Sequence, residues 1–69
     1  MNNRDILFVG DNTSIFVNNS AVNPEQLREV YGIYNRITGE TKQPNGCGRC
    51  WRNVKKRVHQ EYLEKVNII

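Results

Sequence analysis

The sequence predicts an α+β domain, an N-terminal β-hairpin followed by an antiparallel two-helix hairpin, and three observations lead there. Asp5 to Gly10 and Ser14 to Asn18 are short runs of branched and aromatic residues either side of Gly10-Asp11-Asn12-Thr13, the pattern of strand, turn and strand. Val22-Asn23-Pro24-Glu25-Gln26-Leu27 carries a helix start. From Cys47 onward, Cys47, Cys50, Trp51, Val54, Val58, Tyr62 and Ile69 return mostly at three- or four-residue steps, which gathers them on one side of a second helix. Residues 1–22 then form the hairpin and docking arm, and residues 23–69 the helical hairpin.

Neighbouring positions in both N-terminal runs are apolar, so both faces of a hairpin there need cover, and two strands alone are marginal in water. The uncovered face is a candidate docking surface through Ile6, Phe8, Ile15 and Phe16, by strand addition or apolar contact. A hairpin packed wholly into its own small core has equal weight.

In the first predicted helix Asn23 is a preferred N-cap, Pro24 suits the first helical position, Gln26 stands where it can reach back to the cap, and Val22 can staple to Leu27. Its core stripe reads Leu27, Val30, Tyr31, Tyr34 and Ile37, with Gly39 as the stop after Thr38. Gly32 inside it costs about 1 kcal/mol relative to Ala, tolerable where another backbone passes close by. Glu40 to Gly46, with Pro44 and Asn45-Gly46, is a polar connector of a length that joins antiparallel helices. On the second helix Arg49, Arg52, Lys56 and Gln60 fall opposite the apolar stripe and form a basic back.

Sixty-nine residues make one domain at most, with a thin stability margin unless a disulfide, a metal or a partner helps. The net charge of +3 is unevenly spread: Lys42, Arg49, Arg52, Lys55, Lys56 and Arg57 lie in a segment without a single carboxylate. Such a field attracts phosphate or an acidic protein surface, although a helix also solvates its outer face this way. No apolar run approaches a membrane span, and the apolar stretch after Asp5 is too short for a secretory signal. The expectation is synthesis and residence in a reducing cytosol before any assembly, with Asn12-Thr13-Ser14 and Asn18-Asn19-Ser20 read as chance glycosylation matches.

Cys47 and Cys50 have the spacing of half a zinc site or of a redox pair. The third strong ligand, His59, lies about 18 Å from Cys47 and about 13 Å from Cys50 along a continuous helix and is turned away from both thiols. Cys47 and Cys50 are therefore metal candidates only in a zinc site shared with another chain, and no cofactor is expected. A redox role fits poorly, because only one helix follows the pair. The preferred reading has the thiols packing as small apolar groups or forming a local disulfide outside the cytosol. His59 has no nearby nucleophile in sequence, and Glu61 and Glu64 read as charge balance for Lys56, Arg57 and Lys65. With no glycine-rich phosphate loop, carboxylate cluster or catalytic triad, no enzyme is expected.

Tyr31-Gly32-Ile33-Tyr34-Asn35-Arg36-Ile37-Thr38-Gly39, Pro44-Asn45-Gly46-Cys47-Gly48-Arg49-Cys50 and Val54-Lys55-Lys56-Arg57-Val58 together resemble the small Cys-x-x-Cys proteins of tailed phages infecting gut Bacteroidota, including the crAss-like group. The resemblance covers about residues 24 to 66 and leaves the N-terminal arm outside. It implies a phage origin more firmly than a role. Two roles follow as expectations. The first is a non-enzymatic virion accessory protein, such as a capsid-decorating component made in the host cytoplasm, docking through Ile6, Phe8, Ile15 and Phe16 and through Arg52, Lys56 and Arg57 on acidic capsid surface. The alternative is a small basic nucleic-acid-binding regulator. Partners are then a larger protein assembly, a second copy, or nucleic acid, with no membrane involved.

Overall fold

Asn2 begins the folded chain as an N-cap: its Oδ1 accepts the Asp5 backbone N–H at 2.8 Å, satisfying one of the orphan donors of a helix start. The computed structural model describes residues 1–18, 21–44 and 48–66. They contain four helices, α1 (Asn3–Asp11), α2 (Thr13–Val17), α3 (Pro24–Thr38) and α4 (Gly48–Val66). About 79% of these residues are helical and none is in a strand, so the fold is all-α and the expected N-terminal β-hairpin is corrected to a helical corner.

The residues read as a hairpin turn are what make that corner. Asn12 Nδ2 donates to the Phe8 carbonyl at 2.8 Å, and the Thr13 hydroxyl donates to Gly10 O at 2.9 Å. The Asn12 backbone N–H reaches Phe8 O and Val9 O. Together these satisfy the last carbonyls of α1, and α2 restarts at once with Ile15 N–H donating to Asn12 O. The side chains that favour a β-turn serve here as a helix stop, because local side-chain bonds to the backbone suit either ending.

Downstream, α3 and α4 pack on one another. In α3 the Asn23 side chain accepts from Gln26 N–H at 2.8 Å while Gln26 Oε1 accepts from Asn23 N–H at 3.0 Å, a complete capping box with Pro24 beside it. The helix ends at Gly39, whose φ of 77° is the left-handed conformation that side chains disfavour. Asn35 then holds the connector to α3, donating to Lys42 O at 2.9 Å and accepting from Lys42 N–H at 3.0 Å. The start of α4 is described from Gly48, so the expectation of a start near Cys47 touches residues outside the described set, as do Asn19-Ser20, Asn45-Gly46 and Ile69.

Val9 of α1, Val30, Tyr31 and Ile33 of α3, and Val54 and Val58 of α4 form the core, each 2% exposed or less. Leu27, Tyr34, Ile37, Trp51 and Tyr62 pack around it as the spacing predicts, joined by Met1, Phe8 and Phe16. Tyr31 and Trp51 stack with centroids 6.0 Å apart, locking α3 to α4, and Lys55 Nζ lies over the same indole at 5.4 Å. Ile33, absent from the predicted stripe, is completely buried. Burial of one such side chain is worth about 1.5–3 kcal/mol, so the seven buried apolar residues among those described, Ile15 of α2 with the six above, give a core of modest strength.

One ion pair fastens α1 to α3. Asp5 is 2% exposed; its Oδ1 accepts from Arg36 Nη2 at 2.6 Å and its Oδ2 from Arg36 Nε at 3.3 Å. The Asp5 bond, outweighing desolvation, makes Arg36 hold its proton more tightly than an ordinary arginine. The neighbour of Gly32 is this guanidinium, not another backbone: a Cβ placed there would meet Arg36 Nη1 at 3.5 Å and nothing else within 4 Å.

Candidate functional site: a basic groove between α2 and α4

Helix α2 is a single short turn and a half, and Ile15 pins it to the interior at 2% exposure. That places Phe16 against α4, where its ring stacks on His59 with centroids 5.8 Å apart and planes 23° from parallel. The crease between the helices is a groove of about 490 Å³ lined by Phe16, Arg52, Lys55, Lys56, His59, Gln60 and Leu63. No carboxylate is among these residues. Along α4 the order is cation, ring, apolar: Arg52 and Lys56, then His59 one turn on, then Leu63 one turn further.

The electrostatics follow from where the carboxylates go. Glu61 accepts from Arg57 Nη1 at 2.8 Å, an i,i+4 pair, so Arg57 is spent locally and does not line the groove. Asp5 is taken by Arg36, and Glu40 lies 3.9 Å from Lys42. Lys42 holds its proton more firmly than usual, chiefly through Tyr34 and then Glu40, and its ammonium sits over the Tyr34 ring at 5.4 Å. Among the described residues no carboxylate stands within ion-pair distance of Arg52 or Lys56. Their field therefore faces solvent across the groove.

A second groove, of about 400 Å³, is lined by Phe8, Glu25, Gln26, Arg28 and Glu29. Its two carboxylates against one guanidinium make it a poor home for an anion. A third, lined by Asn2, Arg4, Asp5, Glu29 and Arg36, belongs to the α1–α3 ion pair.

Of the residues expected to meet a partner, the structure brings Phe16, Arg52 and Lys56 to one place. Ile15 is interior, Ile6 and Phe8 are half-buried on α1, and Arg57 is paired with Glu61. With no strand among the described residues and Ile15 in the core, docking by strand addition through Ile6, Phe8, Ile15 and Phe16 does not follow from this fold. Lys55, His59, Gln60 and Leu63 complete the groove without having been assigned to a binding surface; the 52, 56, 59, 63 spacing on one helix face was the signal for it. Cys50 is half-buried at the start of α4, and Cys47 lies outside the described residues. Among the described residues no group of three or more His, Cys, Asp or Glu side chains is gathered as a metal ion requires, and no helix is long and apolar enough to cross a membrane.

No protein-family model, curated protein or solved structure matches the chain.

Proposed function

We propose that the protein is a non-enzymatic binding module that takes nucleic acid in the groove between α2 and α4. The observation that carries the reading is the groove's composition: the exposed cations Arg52 and Lys56 beside Phe16, His59 and Leu63, with Lys55 buried at 8% exposure and no carboxylate among the lining residues. A cationic lining attracts the phosphate chain, and releasing the counterions condensed on that chain supplies much of the affinity. The net charge of +3 adds long-range attraction.

Fluorescence anisotropy with a labelled oligonucleotide, repeated across a salt series, tests this. The two exposed formal cations, Arg52 and Lys56, at about 0.7–0.9 counterions each predict that log K falls against log salt with a slope of about −1.4 to −1.8. Lys56→Gln reduces the slope by about one such unit. Absence of binding at low salt, or a slope untouched when Arg52 and Lys56 are both replaced by Gln, sinks the reading.

A second reading, a phage virion accessory protein seated on a capsid, is favoured by a different observation. Leu7, Val17, Leu63 and Val66 are large apolar side chains between 46% and 67% exposed, which a protein neighbour could cover. On this reading the contact surface moves from the supposed hairpin to the helical faces bearing those residues, with Arg52 and Lys56 meeting acidic capsid surface. Mass spectrometry of purified particles decides it: if the protein is absent from intact virions, the reading ends.

A further inference from the structure

Building on the nucleic-acid reading, we infer that the ligand of the α2–α4 groove is single-stranded and that one unpaired base stacks on the Phe16–His59 ring pair. Shape is the first argument. A helix that reads duplex DNA projects from its domain into the major groove, whereas this cationic face of α4 is one wall of a concave crease whose other wall is Phe16 of α2. A crease receives a projecting group, and in a nucleic acid that group is an unstacked base, which only single-stranded or looped chain offers.

Ring placement is the second argument. Phe16 and His59 are both half-buried, both line the groove, and stack on one another within 23° of parallel, so a base that joins them extends the stack on an outer ring face, and the packing of Ile15 holds the Phe16 end in place. Arg52 and Lys56, the exposed cations of the groove, lie toward the N-terminus of α4 from His59, which is where the phosphate attached to the stacked base runs, and Leu63 closes the apolar end. A groove of about 490 Å³ is within the size range of sites that hold small organic groups. Aromatic platforms beside a cationic track are how single strands are held without sequence preference, since every base has a π-face.

The test uses the full chain, a fluorescein-labelled oligothymidylate of roughly a dozen nucleotides and its duplex with oligoadenylate, at one low salt concentration. The single strand binds at least about tenfold more tightly than the duplex. Phe16→Leu, which keeps an apolar side chain against α4, lowers single-strand affinity by about 5- to 140-fold, the range measured for removing one stacking ring. Duplex affinity changes less than about twofold, because phosphate contacts are intact. Phe16→Trp, checked for an unchanged helical circular dichroism spectrum, retains single-strand binding. Equal affinity for the two forms, or parallel loss of both in Phe16→Leu, overturns the stacking inference and leaves the phosphate-binding reading standing. Binding of neither form removes both.

Discussion

Replacing Asp5 and Arg36 by alanine, singly and together, probes the long-range contact that ties α1 to α3. The two are 31 positions apart, and nothing local links them. In the structure the carboxylate is 3% exposed and the arginine side chain 52%, with two hydrogen bonds between them. Breaking a fully buried pair costs about 3–5 kcal/mol, and an exposed pair contributes about 0.2–1 kcal/mol. With one partner buried and the other half in water, the coupling falls between, at about 1–2 kcal/mol. Arg36→Ala is the more damaging single change, since it strands a desolvated carboxylate, and at about 2 kcal/mol lowers Tm by roughly 8–16 °C in a chain this size. Asp5→Ala also removes a side chain from the interior but leaves an arginine that water can reach. Thermal melts and urea titrations of the four proteins give the cycle. Additivity within about 0.3 kcal/mol would refute the Asp5–Arg36 contact between α1 and α3.

Three further substitutions check the rest of the scaffold by denaturant unfolding. Gly32→Ala stabilises the protein by about 0.5–1 kcal/mol, because the added Cβ meets only Arg36 Nη1 at ordinary contact distance and helix propensity improves; destabilisation would mean that another element crosses there. Asn23→Ala removes the acceptor for Gln26 N–H and half the capping box, a loss of about 1 kcal/mol. Ile33→Ala empties the largest fully buried side chain of the core and costs about 2–5 kcal/mol, which in so small a domain produces an unfolded or molten population.

Helix α3 was the most legible part, because its signals are local and chemical: an amide cap, a proline at the first helical position, a glutamine to reach back, and a glycine to stop. The apolar stripe of α4 was legible for the same reason, with Val54 and Val58 spaced to meet α3. The N-terminus misled because Asp5, a carboxylate, occupies the buried position one helical turn before Val9. A polar residue on the core face breaks the helical stripe and leaves Ile6-Leu7-Phe8-Val9 looking like a strand. Its partner Arg36 lies in another element, so sequence spacing could not reveal the compensation. The corrective signal was present: Asn2 with Asp5 three residues later is the same cap spacing, with an acid in the first turn, as Asn23 with Gln26. Ile33 lies outside the stripe drawn through Leu27, Val30, Tyr31, Tyr34 and Ile37, whereas the core reaches round α3 to take it in with Val9, Val54 and Val58.

At the site, the basic side of α4 could be placed from spacing, and so could the local neutralisation of Arg57 by Glu61 at i,i+4. What spacing could not supply was the second wall. Phe16 was assigned to a strand and His59 weighed as a base or zinc ligand, and only the helical corner at Asn12 swings the one onto the other. The groove is a tertiary feature made from two elements that are each unremarkable in sequence.

The central claim, that a single-stranded polyanion lies in the crease between α2 and α4, is tested most directly by titrating the ¹⁵N-labelled protein with unlabelled oligothymidylate and mapping the amide shifts. The account predicts that the largest changes fall on Phe16, Arg52, Lys55, Lys56, His59, Gln60 and Leu63, with the second groove around Glu25 and Glu29 unmoved. Shifts centred on α1 or α3, or a spectrum indifferent to the oligonucleotide, would contradict it.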